Sequence, residues 1–188
     1  TEAVGIYNRE QQIQAVQELR PEAVSLAIRE ISPAGVDEKV SAEFFSFLHR
    51  EGIAPQYILY TREDILHFKN LLERGIIPDD SISVLLVLGR YTENQQSNAA
   101  DIAPLLCHLP KVQHWSLCAF GSSEEDCMLE AIQQGGHCRV GFENNLSMSD
   151  GTLAADNAAL VKAVGDGALL LDRTVASAND ARRMLGLR

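Results

Sequence analysis

Short apolar segments alternate with amphipathic helical segments along most of this sequence. The apolar segments have the length and composition of buried strands, and each is followed by apolar residues at helical spacing. The predicted strands cover residues 23–29, 56–61, 82–89, 114–120 and 137–143. Strands that are apolar on both faces belong in a parallel sheet covered by helices. The sequence therefore predicts an α/β fold, either a doubly wound sheet or a (β/α)8 barrel.

The predicted helices lie before, between and after these strands, and several have recognisable starts. Thr61 with Asp64, and Ser177 with Asp180, form capping-box patterns, and residues 122–125 resemble a third helix start. The predicted helices cover residues 9–19, 37–51, 61–74, 97–108, 122–134, 156–165 and 178–185. Because no linker or tandem repeat interrupts this pattern, we expect residues 1–188 to form a single domain, although a complete barrel usually needs about 250 residues.

Composition excludes several classes of function. The net charge of −10 argues against a nucleic-acid surface or an anionic membrane surface, since both require basic patches. The four cysteines fit no zinc motif, and Cys118 and Cys138 lie in apolar runs, where cysteine is typically a small buried hydrophobe. No signal peptide is visible, and the longest apolar run is too short to span a bilayer. We therefore expect a reducing, cytoplasmic location.

Charged residues occur near the ends of two predicted strands. In parallel α/β proteins, function is found at the C-terminal ends of strands. By alternation, Arg139, Gly141 and Glu143 share one face of the last strand, and Ser25 and Arg29 share one face of the first. Both strands are therefore predicted to direct charge toward the same end of the sheet.

Two interpretations of Arg139 and Glu143 are open at this point. The pair is either a buried ion pair that orders the interior or part of a functional site. Glu143 is also a candidate metal ligand, although one carboxylate is a weak signal. The five histidines give no HxH or HExxH motif, and His137 lies at the N-terminal end of its strand.

The segment around the last predicted strand carries a resemblance to a known family. Residues 135–146 read GGHCRVGFENNL and resemble the GGHxRVGxEDN(L) segment of the β-keto acid cleavage enzymes, which include the 3-keto-5-aminohexanoate cleavage enzyme. Further segments match across nearly the whole chain: Gly52–Pro55, Trp115–Gly121, Asp150-Gly151, Asn157-Ala158, Leu160-Val161, Ala181-Arg182 and Leu185–Leu187.

The resemblance implies a (β/α)8 barrel, of which this chain holds roughly strands four to eight and the C-terminal helices. Thr1 then lies at the end of strand three, so the N-terminal strands are outside the sequence. In the family those strands carry an HxH pair that binds a divalent metal, usually zinc, together with the glutamate matching Glu143. We therefore expect the sequence to be an incomplete record of a longer polypeptide, with Glu143 as one metal ligand.

The activity implied by the resemblance is a condensation of a β-keto acid with acetyl-CoA, giving acetoacetate and a new acyl-CoA. The metal would chelate the keto acid and stabilise enolate charge as a Lewis acid. Arg139 matches an arginine at the reacting centre, and Ser25 matches a small hydroxyl residue that contacts substrate. We expect Ser25, Arg29 and Thr61 to bind substrate, and Arg139 and Asn144 to act at the reacting centre of a homo-oligomeric transferase.

This chain also departs from the family pattern. Asn144 replaces the acid that follows the metal-binding glutamate, and an amide cannot serve as a general base near neutral pH. Asn144 is still able to accept a hydrogen bond from Arg139. The less compensated charge of Arg139, with Arg29 nearby, favours a keto acid that carries a second anionic group. Two alternatives remain open, a non-catalytic ligand-binding α/β protein and another metal-assisted lyase or aldolase.

Overall fold

The computed structural model describes residues 1–78 and 82–187 of the chain. Five strands are present in this part: β1 (Ala23–Ala27), β2 (Ala54–Leu59), β3 (Ser83–Leu88), β4 (His114–Ala119) and β5 (His137–Arg139). They follow one another in chain order across a single sheet. β1 pairs with β2 and β4 pairs with β5, in both cases in parallel, which agrees with the predicted α/β class.

Helices precede, separate and follow the strands. Those of the described residues are α1 (Arg9–Leu19), α2 (Ile28–Ile31), α3 (Lys39–Glu51), α4 (Arg62–Glu73), α5 (Ile102–Leu106), α6 (Glu124–Gln133), α7 (Asn157–Leu170) and α8 (Ala178–Met184). Glu93–Gln95 and Ala99–Asp101 form short 3-10 turns. None of the described helices is long and apolar enough to cross a membrane.

The chain divides into two compact units. The first comprises Thr1–Val84, His108–Gln113 and Ala181–Arg188, and its core lies between β2 and the helices α3 and α4. Tyr57 of β2 packs edge-on against Phe45 of α3, with ring centroids 5.9 Å apart, and lies 5.0 Å from the ring of Phe68 in α4. These aromatic contacts fix the two helices against the strand.

The second unit comprises Leu85–Cys107 and His114–Asp180. Its core is formed where α6 packs on β4, β5 and α7, with Met128 and Ala131 fully buried. Gly136 lies directly against the ring of Trp115, and a Cβ atom at this position would approach the ring to 2.5 Å. A glycine is therefore required for the chain to enter β5 beside Trp115.

Two of the cysteines were expected to be structural. Cys118 is buried in β4, and Cys138 is half-buried in β5, where its thiol faces the carbonyl of Met128. Burial raises the pKa of the Cys138 thiol to about 11. A thiol with a raised pKa carries little thiolate at neutral pH, which agrees with a structural role.

Three predicted elements are shorter in the structure. The first strand ends at Ala27, where α2 begins, and the last ends at Arg139 rather than residue 143. The helix predicted over residues 97–108 is reduced to a 3-10 turn followed by α5. Pro104 lies in the first turn of α5, the part of a helix where a residue without an N–H group is tolerated.

Candidate functional site

The C-terminal end of β5 carries the ion pair that the sequence predicted. Arg139 is the last residue of the strand, and its Nη2 donates a hydrogen bond of 2.6 Å to Oε2 of Glu143. The two side chains are not brought together by strand alternation, because Gly141 has a φ of 149° and the chain turns there. The predicted common strand face is therefore wrong, while the pairing of the two charges is correct.

The pair is accessible rather than buried. The Arg139 and Glu143 side chains are 38% and 57% exposed. The interpretation as a buried ion pair does not hold in the described part of the chain. An ion pair this exposed contributes little to stability, about 0–1 kcal/mol. Its position at the end of a parallel strand makes it a candidate for ligand binding.

The turn after β5 is held from α7 and from α6. The backbone N–H of Phe142 donates to Oδ1 of Asn157, the first residue of α7, at 2.8 Å. From the other side, Glu124 accepts hydrogen bonds from Gly141 N, Asn144 Nδ2 and Asn145 Nδ2, each 3.3 Å long. These contacts hold the segment that carries Glu143.

Glu124 is a functional candidate that the sequence reasoning missed. The sequence predicts only a helix start at this position, and an acidic residue in the first turn of a helix is too common to indicate a function. In the structure its side chain is 1% exposed, and burial raises the pKa of its carboxyl group. A buried carboxylate with a raised pKa is a candidate functional residue.

Asn144 does not pair with Arg139. Its side chain is 8% exposed, its Nδ2 donates to Glu124, and its Oδ1 has no hydrogen-bond partner among the described residues. The hydrogen bond expected from Arg139 to Asn144 is therefore absent, because Arg139 donates to Glu143 and the Asn144 amide is oriented by Glu124.

The other predicted substrate-binding residues lie in the first unit. Ser25, in β1, donates through its hydroxyl to Oε1 of Gln56, its register partner in β2, at 3.2 Å. Arg29 was expected to share a strand face with Ser25, but it lies in the short helix α2 because β1 ends at Ala27. The prediction for the Arg29 backbone is therefore wrong.

Arg29 is held by Asp64 and Tyr60. Its Nε and Nη2 donate to the two carboxylate oxygens of Asp64 at 3.2 and 2.6 Å, and its guanidinium lies 4.6 Å from the centroid of the Tyr60 ring. Asp64 also accepts from the backbone N–H groups of Tyr60 and Thr61. The charge of Arg29 is therefore compensated by a bidentate partner.

Thr61 has the capping role that the sequence predicted. Its Oγ1 accepts a hydrogen bond from Asp64 N at 3.2 Å, and the capping box that starts α4 is complete. The structure thus groups Thr61 with Arg29 in the first unit, and Asn144 with Arg139 and Glu143 in the second.

The described residues do not by themselves form a metal centre. Within residues 1–78 and 82–187, no group of three or more histidine, cysteine or acidic side chains is arranged to hold a cation. Glu143 offers one accessible carboxylate, and in this structure that carboxylate is bonded to Arg139. A zinc site usually has three or four protein ligands.

The family of the chain follows from comparison with known proteins. Residues 1–187 match the model of the beta-keto acid cleavage enzymes. The chain belongs to this family. The match confirms the predicted fold class, because the family is built on a (β/α)8 barrel and the five parallel strands alternate with helices as expected.

Three relatives show how much of a family member the chain represents. It is 28% identical to a 3-keto-5-aminohexanoate cleavage enzyme of Fusobacterium nucleatum over 176 residues, covering 91% of this chain and 63% of that protein. A protein of the same name from Acetoanaerobium sticklandii is 28% identical over 190 residues, with 98% and 68% covered. A 3-oxoadipate:acetyl-CoA acetyltransferase of Cupriavidus necator is 26% identical over 181 residues, with 90% and 61% covered.

Proposed function

We propose that this chain belongs to an enzyme that condenses a 3-keto acid with acetyl-CoA to give acetoacetate and a new acyl-CoA. The observation that carries this proposal is the family match over residues 1–187. The names of two kinds of relative add support, since one names a keto acid cleavage enzyme and the other an acetyl-CoA acetyltransferase. The chain spans 61–68% of the length of these relatives.

In the proposed reaction one carbon–carbon bond forms and another breaks. The acidic methylene of the keto acid loses a proton and attacks the carbonyl carbon of the acetyl thioester, whose carbon–sulfur bond breaks and releases coenzyme A as its thiolate. The coenzyme A thiolate then attacks the original keto carbon, and the bond between that carbon and the former methylene breaks. Acetoacetate leaves with the electron pair and takes up a proton, so no external oxidant or reductant is needed.

The residues at the end of β5 suit the charge that develops in this reaction. The substrates are anionic and the chain carries a net charge of −10, so binding requires a local cation. Arg139 is accessible and is the residue that we propose to face the enolate and carboxylate oxygens. Asn144 is proposed to act beside it as a neutral hydrogen-bonding group.

Glu143 is proposed to provide one ligand to a divalent metal, which we expect to be Zn2+. The remaining ligands would have to come from residues other than those described here. A bound metal would stabilise negative charge on a chelated keto acid as a Lewis acid. Glu143 would then exchange its contact with Arg139 for the cation.

The residues proposed to bind the acyl part of the keto acid are Ser25, Arg29 and Thr61. Each is already engaged in the structure, with Gln56, Asp64 and the start of α4 respectively. Arg29 and Asp64 would therefore act as a unit that offers little net charge. The preference for a substrate with a second anionic group is proposed because Asn144 is neutral and adds no negative charge near Arg139. The name of the Cupriavidus necator relative, which specifies the dicarboxylic acid 3-oxoadipate, supports this preference.

A substrate panel tests the proposal. The complete enzyme is incubated with acetyl-CoA and 3-oxoadipate, 3-keto-5-aminohexanoate or an uncharged 3-keto acid, and acyl-CoA formation is followed by chromatography. We expect an acyl-CoA product, formed fastest from the dicarboxylic acid. Binding without turnover would favour the ligand-binding alternative. Cleavage of a keto acid without acetyl-CoA would favour a metal-assisted lyase or aldolase.

Cytoplasmic location and a homo-oligomeric state also remain proposals. The first is based on cysteine use and the second on the family resemblance. Sedimentation of the complete protein would test the oligomeric state, and a single species at the monomer mass would contradict it.

A further inference from the structure

Glu124 is unusual among the acidic residues that the structure describes because it is buried without a cation. It is the first residue of α6, and its side chain is 1% exposed. All three of its hydrogen-bond donors are neutral: one backbone N–H and two side-chain amides. Burying a carboxylate in this way costs free energy, so its position calls for a role beyond helix capping.

The two asparagines that donate to Glu124 differ in one respect. Asn145 uses both ends of its amide within the loop, since Nδ2 also donates to Ser147 O at 2.6 Å and Oδ1 accepts from Ser147 N at 2.9 Å. Asn144 uses only its Nδ2, and its buried Oδ1 has no partner within residues 1–78 and 82–187. Unpaired buried acceptors are rare in proteins and are often found at functional sites.

Glu124 sets the orientation of the Asn144 side-chain amide. A carboxylate can only accept, so it must face the NH2 group of Asn144 and leave the carbonyl on the far side. The negative charge also polarises the amide and makes Oδ1 a stronger acceptor. Asn144 directly follows Glu143 in the chain and is held in the same turn.

We infer that Glu124 is a positioning residue of the proposed reacting centre, which orients Asn144 and holds the turn that places Glu143 beside Arg139. The inference rests on the proposed function. In place of the acid found in the family, the chain has a neutral amide at position 144 and a buried negative charge behind it, on Glu124.

The test compares Glu124→Gln with Asn145→Ser. Glutamine at 124 presents its own NH2 group to one of the asparagines and removes the charge that orients Asn144. We expect kcat for acyl-CoA formation to fall on the order of tenfold, with KM changed by less than about twofold. Asn145→Ser removes a hydrogen bond to the same carboxylate but leaves Asn144 oriented. It should lower the thermal midpoint and keep kcat within about twofold of wild type.

A double-mutant cycle separates orientation from general stability. Asn144→Ala should lower kcat as much as Glu124→Gln does, and the double variant should be no slower than either single variant, because the two residues act as one unit. Additive losses, or an equal loss of kcat in Asn145→Ser, would overturn the inference. If Glu124→Gln does not fold, Glu124→Asp supplies a second comparison: it keeps the charge but its shorter side chain cannot reach all three donors, so kcat should again fall, and an unchanged kcat would overturn the inference.

Hydrogen exchange distinguishes failure of the inference from failure of the proposed function. If the wild-type enzyme forms no acyl-CoA with any keto acid, the proposed function is wrong. The orienting contact is then judged on the backbone N–H of Gly141 and the side-chain amide of Asn144, both of which donate to Glu124. Glu124→Gln should speed exchange at both groups. Unchanged exchange would show that Glu124 does not hold this turn.

Discussion

Glu124 accepts three hydrogen bonds at the start of α6, and every donor is a neutral N–H group. A side chain that can only accept restricts its neighbours to residues that can donate. The amides of Asn144 and Asn145 meet this requirement, and a carboxylate at either position would not. The asparagine that distinguishes this chain from the family pattern is therefore explained by a contact within the chain.

A carboxylate at position 144 should accordingly be destabilising. Asn144→Asp would place two buried acidic groups about 3.3 Å apart with no donor between them. We expect the free energy of unfolding at neutral pH to fall by about 3 kcal/mol, as when a buried charge loses its partner. The measurement is urea unfolding followed by circular dichroism.

The control for this prediction is a double variant in which the acid and the amide swap positions. Glu124→Gln combined with Asn144→Asp restores one donor and one acceptor in reversed order. It should recover more than half of the stability lost in Asn144→Asp. A double variant as unstable as the sum of its single variants would contradict the argument.

Among elements, the helices with clear capping residues were predicted more accurately than the ends of β1 and β5. The predicted bounds of the helix over residues 9–19 were correct to the residue, and the Thr61–Asp64 capping box was confirmed. Both depend on residues that are close together in the sequence. Strands β1 and β5 end early, where α2 begins and where Gly141 turns the chain. Both ends depend on backbone geometry that the alternation of side chains does not reveal.

The same limit applies to the site. Arg139 and Glu143 are four residues apart, so their pairing was accessible to sequence reasoning. Glu124 lies twenty residues before Asn144, and Asp64 lies thirty-five residues after Arg29. These partners meet only after the strands have paired and the helices have packed. No local sequence pattern indicates such long-range contacts.

At the start of α4, Asp64 should contribute more to stability than Thr61. Asp64 accepts from Tyr60 N and Thr61 N and holds Arg29, whereas the Thr61 hydroxyl accepts from Asp64 N alone. We expect Thr61→Ala to cost about 1 kcal/mol of unfolding free energy. Asp64→Asn should cost about 2–3 kcal/mol because a charge-assisted bond is also lost. Thermal unfolding compares the two variants. Equal losses of unfolding free energy would show that the contact between Arg29 and Asp64 contributes nothing to stability.

The start of β5 should make the protein sensitive to acid. Burial, together with neighbouring His114 and Arg173, lowers the pKa of His137 below its usual value of 6.5. Because the unfolded chain then binds a proton more readily than the folded one, stability is present above pH 6.5 and is lost as the pH falls toward the lowered value. His137→Gln should reduce this loss.

The measurement is the thermal midpoint of wild type and His137→Gln between pH 7.5 and 5. The His114 ring lies 5.5 Å from that of His137, so His114→Gln is the matched control. It should reduce the acid sensitivity only in part, because burial is the largest cause of the shift at His137. Parallel curves for wild type and His137→Gln would refute the assignment.

At the scale of the whole molecule, the proposed metal site has the weakest structural support, because the described residues form no group of three or more candidate ligands. Glu143→Gln in the complete enzyme should lower bound zinc strongly, because a neutral amide is a poor ligand for a divalent cation. Elemental analysis measures the metal directly. Glu125→Gln is a suitable control, since it removes the same charge from a residue outside the turn after β5. Equal zinc content in both variants would count against the ligand role.

The turns that follow β3, β4 and β5 are joined to one another through main-chain atoms. Phe120 N donates to Leu88 O, at the end of β3, at 3.0 Å, and Gly121 N donates to Asn144 O at 3.0 Å. A backbone shift in one turn is therefore transmitted to the next, whichever side chains are present. Libraries aimed at new substrates should therefore diversify the three turns together, because a change of backbone in one turn alters the setting of the others.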